Sequence, residues 1–372
     1  MKKENPGMPS RRPRADVLLL FNQVGSDEYE ELKNVDPATL GFTPAYPIDV
    51  ATVQDEINAI ASTLEKEGFQ VRSVNVKDDL RILENALRRK PDVVFNLVEF
   101  FHDRQGLEGA VAGLYDLYQI PYTGAGPFTL ALCNRKPLAK QVLLAHGLPT
   151  PRFRLLHKPA IPRRHGLHYP LMVKPAREDA SAGVSKDSVV YDYAGLTVQL
   201  ERIFAEFAPP ILVEEYIEGK ELHVSVIGND PPRALPIIEF DFSELPSDTP
   251  RIISYDAKWN PLHEEYHRIH TVCPARLSQR VAKRVEDIAV RAFQLTGCRD
   301  YARLDIRLDK KNRVFVLEIN PNPDLTEGVS FMESAEKANM SFGATLRTIV
   351  EFALARKITP DPASRDRTTA PQ

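Results

Sequence analysis

The residues best suited to chemistry lie in one stretch, YARLDIRLDKKNRVFVLEINPNPD, residues 301–324. Two alternating runs flank the polar turn Lys310–Arg313, the pattern of a β-hairpin. If the turn closes between Asp309 and Val314, Leu304 faces Ile319, Ile306 faces Leu317, and Leu308 faces Phe315. Every pair on that face is apolar, so burial favours this register over a one-residue slip. The opposite face then sets Arg303 across from Asn320 and Asp305 across from Glu318. Cross-strand neighbours have Cβ atoms about 5 Å apart, close enough to share ions. Two carboxylates and an amide oxygen on one rigid face suit Mg²⁺, which takes hard oxygens and keeps water and phosphate ligands. Arg303 stands where it could stabilise charge that develops in phosphoryl transfer.

The elements that must carry this hairpin follow from the rest of the chain. Its 372 residues suggest two or three domains. With 43% hydrophobic and 27% charged residues, it has the material for a core and an ordinary polar surface. A formal net charge of −3 gives no general attraction to nucleic acid. No apolar run approaches the roughly 20 residues that span a bilayer, and the basic start MKKENPGMPSRRPRA lacks the apolar middle of a secretory signal. Cys133, Cys273 and Cys298 form no CxxC pair, which fits a reducing cytoplasm.

Residues 1–14 and 358–372 are polar and Pro-rich and read as disordered tails. Residues 15–127 alternate strands (Val17–Phe21, Val71–Val76, Val93–Leu97) with helices (Thr52–Gly68, Leu80–Lys90, Leu107–Tyr118). That order implies a doubly wound parallel sheet, interrupted by an unusually long connection, Gln23–Asp49. A second segment, 128–213, opens with two helices and includes the strand Leu171–Lys174. A third, 214–357, holds the strand Leu222–Ile227, the helix Leu277–Thr296, the hairpin and a final helix, Phe342–Arg356.

With these residues in place, the chain resembles the D-alanine–D-alanine ligase branch of the ATP-grasp enzymes. The hairpin is similar to that family's metal-binding motif, with Asp305, Glu318 and Asn320 as the matching ligands and Arg303 as the catalytic arginine. In CNRKPLAKQVLLAHGLPTP, Lys136 matches a lysine on the ATP phosphates; in YPLMVKPAREDASAGVSK, Lys174 matches a second one, and Ser181–Gly183 lie in the phosphate-covering loop. ILVEEYIEGKELHVSVIGN resembles the hinge between two grasping lobes. There Glu214 matches the adenine-side carboxylate, Glu221 the ribose-binding one, and backbone groups of Glu215, Tyr216 and Ile217 would complete adenine recognition. YDAKWN resembles a mobile loop whose lysine, here Lys258, is directed at the γ-phosphate. No GxxxxGK[ST] run exists, so a P-loop is not the phosphate site.

The resemblance implies an α/β, three-domain ATP-grasp fold: an N-terminal parallel sheet, a central α+β lobe and a C-terminal α+β lobe with an antiparallel sheet. It implies ATP, two Mg²⁺ ions (or Mn²⁺), amino-acid or small-peptide substrates, a cytoplasmic enzyme and, as family members commonly form, a homodimer. The reaction would join a carboxylate to an amine through an acyl phosphate. The departures fall in the amino-acid pocket. Asp49 stands near the place of a family glutamate that holds the first ammonium; Ala180 replaces a serine and Trp259 a tyrosine that are bridged to that glutamate. Asp324 replaces a glycine beside the second substrate, and Val329 a serine that binds its carboxylate. A carboxylate at 324 would repel a carboxylate substrate. The alternatives are a genuine D-alanine–D-alanine ligase, a nucleotide-binding protein without turnover, and a zinc protease through His263-Glu264-x-x-His267.

Overall fold

In the structure, a computed structural model, residues 14–25, 27, 29–32, 35–178 and 180–356 are described. Apart from Arg14, the two expected tails lie outside these residues. Arg14 is anchored, its amide donating to the Gly68 carbonyl at 2.9 Å and its guanidinium pairing with Glu351 at 3.2 Å.

The chain begins with strand β1 (Asp16–Phe21), the short helix α1 (Tyr29–Leu32), α2 (Val53–Lys66), β2 (Gln70–Asn75), α3 (Leu80–Arg88), β3 (Val93–Leu97) and α4 (Glu108–Leu117). The three strands form a parallel sheet in the order β2-β1-β3. β1 is central because both of its faces are apolar: Val17, Leu19 and Phe21 enter one core, Leu18 and Leu20 another. Thr52 starts α2 with a reciprocal capping box to Asp55. Tyr115 of α4 packs inward, its hydroxyl donating to Asn96 at 2.9 Å, while Leu117 stays 80% exposed.

Helices α5 (Pro127–Cys133) and α6 (Lys136–Ala145) lead into a four-stranded antiparallel sheet, β4-β7-β5-β6. Its strands are β4 (Phe153–Leu156), β5 (Leu171–Pro175), β6 (Val189–Val190) and β7 (Ile211–Glu215), backed by α7 (Tyr193–Glu206). The third sheet runs β11-β10-β8-β12-β13, with β9 on β8. It comprises β8 (Gly219–Ile227), β9 (Arg233–Ala234), β10 (Ile238–Asp241), β11 (His270–Val272), β12 (Tyr301–Asp309) and β13 (Val314–Asn320). Short helices α8 (Tyr255–Trp259) and α9 (Glu264–Arg268) lie in the loop between β10 and β11; α10 (Gln279–Leu295), α11 (Ser330–Lys337) and α12 (Phe342–Ala355) complete the fold. Packing crosses the chain order twice. Cys133 and Leu143 from the second segment join α10 beneath the third sheet, and Leu346, Ile349 and Val350 of the last helix cover the first sheet.

The hairpin register corrects the expectation at its turn end. Arg303 pairs with Asn320, Leu304 with Ile319 and Asp305 with Glu318, as expected, but a bulge follows Asp305. Beyond it Ile306 pairs with Val316, Arg307 with Phe315 and Leu308 with Val314. Val314 and Val316 therefore enter the core, and Leu317 turns toward the open face beside Glu318. Val314–Leu317 are all apolar, so alternation could not reveal which parity is buried; the bulge re-aims a side chain into the cleft.

Gly219 begins β8 with φ +149°, and a Cβ there would sit 2.0 Å from the Leu308 carbonyl oxygen. Gly219→Ala is expected to lower stability by more than about 1 kcal/mol, since strained backbone adds to the clash. A urea midpoint unchanged from the parent would contradict this close approach of β8 to β12.

Candidate active site

The hinge from β7 to β8 forms the floor of a cleft lined by Lys136, Lys174, Glu214, Tyr216, Ile217 and Glu221, with Ser181 and Glu215 also on its wall. Eight of the nine residues expected to hold nucleotide are thus gathered. Gly183 is not on the wall; its φ is +74° and an added Cβ would meet Pro175 at 2.8 Å, so it lets the covering loop fold tightly.

Glu214 lies between two lysines, 2.8 Å from Lys140 and 2.8 Å from Lys174. Burial alone would raise its carboxyl, but the two ammonium groups overcome that and hold it at about 2. Burial lowers Lys140 despite Glu214, whereas Lys174 is raised because Glu214 and Glu318 outweigh its burial. Lys140 also donates to Thr150 at 2.5 Å. Glu221 is raised by burial although Arg307 sits 2.8 Å away, and Arg307 in turn lies over the Tyr216 ring at 5.1 Å.

On the open face of β12, Arg303 grips Asp305 with two hydrogen bonds, 2.8 and 3.1 Å. His223 approaches the same carboxylate at 3.4 Å and shares its Nδ1 with the Ser330 hydroxyl at 2.9 Å. Burial and Arg303 keep His223 well below its usual pKa, so it sits neutral. Lys136 donates to the Glu178 carbonyl at 2.6 Å and lies 3.5 Å from Glu318, which ties the covering loop to the hairpin. Among the described residues no three carboxylates, imidazoles or thiols gather as a metal cluster. Asp305, Glu318 and Asn320 supply two carboxylates and an amide oxygen on one face. That donor set fits an ion completed by water and phosphate oxygens, and would not cage one unaided.

Next to the cleft, and sharing Lys136, Ser181, Asp305 and Glu318 with it, is a second cavity of about 320 Å³. Lys258, Trp259, Arg303, Asn320 and Asp324 line it. Lys258 lies 4.9 Å from the Trp259 ring centroid, and burial with the nearby Arg303 lowers its pKa. Trp259 joins three parts of the chain: its indole Nε1 donates to the Ala180 carbonyl at 2.8 Å, and its own carbonyl accepts from the Tyr29 hydroxyl at 3.1 Å. Asp49 does not join the site. It is exposed and absent from the cavity wall, and Glu99 and Glu108 are the carboxylates from the first domain that line it. The long 23–49 connection instead docks on the loop around α9, where Tyr46 donates its amide to His267 at 3.1 Å.

That docking also disposes of the zinc arrangement. His263 caps α9 from outside the helix, and the other His267 ring nitrogen, Nε2, meets the Pro261 carbonyl at 2.8 Å. The two histidines therefore do not share a helix face.

Sequence reasoning missed Lys140, His223 and Arg307. Lys140 is one turn beyond Lys136 on α6, and Glu221 and His223 share a face of β8 by period-two spacing. Those signals were present, but only the β8–β12 register shows that Arg307 meets Glu221 and Asp305 meets His223.

An antiparallel sheet and a covering lobe that close lysines and carboxylates over one cleft define an ATP-grasp ligase. The family described as D-ala D-ala ligase C-terminus matches residues 142–351. A D-alanine–D-alanine ligase of Methylobacterium radiotolerans is 35% identical over 302 residues, 79% of this chain and 91% of the relative. One from Carboxydothermus hydrogenoformans is 30% identical, covering 80% of this chain and 92% of its own. An uncharacterised Sinorhizobium fredii protein, y4sG, is 32% identical over 73% of this chain and 77% of its own. The crystal structure of Bacillus anthracis D-alanine–D-alanine ligase complexed with ATP superposes with a TM-score of 0.68 at 21% identity, covering 92% and 98% of the two chains, and so shares the fold. The chain belongs to the D-alanine–D-alanine ligase family and is an ADP-forming ligase of carbon–nitrogen bonds.

Because Glu214 is held at about 2 against an ordinary 4.5, it stabilises the fold above pH 4.5 and loses that contribution as pH falls toward 2. The difference corresponds to about 3 kcal/mol. Glu214→Gln should be destabilised by about 3–5 kcal/mol at neutral pH, because it leaves two buried lysines without a counter-charge. Its urea midpoint should then vary less with pH across the acid range than the parent's; equal acid sensitivity would refute the assignment.

Proposed function

We propose that the protein uses ATP and Mg²⁺ to activate a carboxylate as an acyl phosphate and then to condense it with an amine of an amino acid or small peptide. The convergence of Lys136, Lys174, Lys258 and Arg303 around the Asp305–Glu318 face carries this reading, because so many cations beside one cleft suit the charge of a triphosphate. Asp305, Glu318 and Asn320 would hold Mg²⁺, which would supply positive charge to the phosphates when bound. Adenine would lie against Tyr216 and Leu317, near Glu214, with Glu221 accepting from the ribose. The Glu215 and Tyr216 amides already donate to Arg152 and Pro170, at 2.9 Å each, which leaves the Ile217 N–H as the backbone donor for adenine among the three.

A substrate carboxylate oxygen attacks the γ-phosphorus, the bond to the β-phosphate oxygen breaks, and ADP leaves. The amine nitrogen then attacks the acyl carbon, the carbon–oxygen bond to phosphate breaks, and inorganic phosphate departs. Lys136, Lys174 and Lys258 draw charge from the phosphates, and Arg303 stabilises the oxygen on which charge grows. The rest of the rate comes from holding the partners in line. A D-alanine–D-alanine ligase is the second reading, since the Methylobacterium radiotolerans and Carboxydothermus hydrogenoformans relatives, matched over about four-fifths of this chain, bear that name.

The test is a phosphate-release screen over paired amino acids, with D-alanine pairs included. ADP formation should depend on both a carboxylate and an amine, and Lys174→Ala and Asp305→Ala should each lower it by at least about 10²-fold. Nucleotide binding with no amine-dependent ADP formation would overturn the reading.

Trp259→Phe keeps the ring but removes the Nε1 donor that holds Ala180. Looser closure admits water to the acyl phosphate, so ADP formed per amide produced should rise severalfold. An unchanged ratio would mean that the indole hydrogen bond does not keep the site closed.

A further inference from the structure

Two histidines meet Tyr46 of the long 23–49 connection, and a proton would affect them in opposite ways. His267 is 3% exposed, and both of its ring nitrogens are engaged. The Tyr46 amide donates to Nδ1 at 3.1 Å, and Nε2 lies 2.8 Å from the Pro261 carbonyl. An amide N–H cannot accept and a carbonyl cannot donate, so only the neutral ring with its proton on Nε2 satisfies both. A second proton would fall on Nδ1, against the Tyr46 N–H, and leave two buried donors facing each other. His270 is arranged differently. Its Nε2 faces Glu244 at 3.1 Å, and its Nδ1 lies 2.6 Å from the Tyr46 hydroxyl. A hydroxyl can turn from donor to acceptor, and Glu244 would stabilise the imidazolium, so His270 accommodates a proton where His267 does not.

The His267 ring also stands where chain segments that shape the second cavity meet. Phe42 and Tyr46 pack on it from the connection, with ring centroids 5.2 and 6.1 Å away, and Tyr266 of α9 packs at 5.1 Å. The Pro261 carbonyl that it holds follows closely on Trp259, which lines the cavity with Lys258. The titratable groups around the ring are Tyr46 and Tyr266, and beyond them His270, Glu244 and Glu333 of α11. Burial, then Tyr266, Glu244 and Glu333, raise the Tyr46 pKa, so its side chain stays a hydroxyl. Glu244 is engaged by His270 and Glu333 by the Thr271 hydroxyl, at 3.1 Å each. A charge on His267 would have neither carboxylate to itself.

Resting on the reading that Lys258 serves the phosphates, we propose that His267 is a positioning residue: neutral, it latches the connection onto the loop that presents Lys258 and Trp259, and protonated, it releases it. His267 touches no substrate and acts through Lys258. Because the latched form requires the neutral ring, closure is strongest at neutral pH and above. It weakens as pH falls through the range near about 6.5 in which histidines ordinarily gain a proton.

Trp259 is the only tryptophan in the chain, so the emission of the full-length, ligand-free protein reports on this loop. Emission should shift to the red, and acrylamide should quench it more readily, as pH is lowered from about 8 to about 5.5. His267→Gln, whose amide accepts and donates but takes up no proton, should lack that transition, while His270→Gln should keep it. Phosphate release is measured alongside, with the best carboxylate–amine pair of the screen. The parent's kcat should fall along the same transition, and that of His267→Gln should stay within about threefold of the parent's neutral value throughout. His267→Phe keeps the ring without either hydrogen bond. It should emit like the acid form at every pH, with kcat lower by at least about tenfold and KM for ATP unchanged. A parent emission that ignores pH, or a transition that survives His267→Gln or vanishes in His270→Gln, would overturn the latch. A transition that leaves kcat unmoved would overturn the positioning role. Should the parent release no phosphate with any pair, the ligase reading fails by itself, and the emission still decides the latch.

Discussion

The antiparallel register of β8, β12 and β13 is the constraint on which the site depends. It places Glu221 against Arg307, His223 against Asp305, and Asp305 against Glu318, all on one side of a single sheet. The other side is sealed by Leu304, Ile306, Leu308, Val316 and Ile319 over α10. A slip by one residue would exchange the two faces and put carboxylates and guanidinium groups into that core. Burying the apolar face therefore does two things with the same pairing: it stabilises the lobe and fixes the chemical groups to within hydrogen-bonding geometry. The bulge after Asp305 adds Leu317 to the open face without disturbing the pair that precedes it.

The charges on this face are held in advance. Lys174 leans on Glu214, Lys136 on Glu318 and the Glu178 carbonyl, and Arg303 on Asp305. Each partner restrains a long side chain that would otherwise have to be ordered when the nucleotide arrives. The cost is desolvation: burial raises Glu221 and lowers Lys140 and Lys258. Lys140 reaches no part of the cleft wall and still matters, because it supplies the second positive charge that keeps Glu214 ionised and so keeps Lys174 in place.

Much of this could be read from the chain. Elements with one unambiguous periodicity came out within a residue or two: VLLLF as a strand buried on both faces, and the amphipathic helix capped by Thr52. The end of the hairpin that carries Arg303, Asp305, Glu318 and Asn320 was legible because polar and apolar residues alternate there. Its turn end was not, since four consecutive apolar residues carry no parity. Asp49 was placed by counting back along a helix, but residues ahead of a helix start follow a loop path that spacing cannot give. The loop instead turns Asp49 outward, while Glu99 reaches the cavity from the end of β3. The role of Arg307 could not be read from spacing, because its partner Glu221 lies on β8 and only the register between the strands brings them together.

The closure of the site shows how a contact can persist while its atoms change. The family resemblance implies a bridge in which a glutamate, a serine and a tyrosine link the first domain, the covering loop and the mobile loop. Here the serine position is Ala180 and the tyrosine position Trp259, and neither can make the same side-chain bridge. The link is rebuilt from backbone and aromatic groups, with Tyr29 reaching the Trp259 carbonyl and the indole reaching the Ala180 carbonyl. Tyr46 adds a second tether, its hydroxyl 2.6 Å from His270 and its ring stacked near His267. The long connection after β1 is therefore part of the enclosure. The cavity beneath it is lined by Asp324, Trp259 and Phe240, so Trp259, which ties the loops together, also shapes what the pocket can hold.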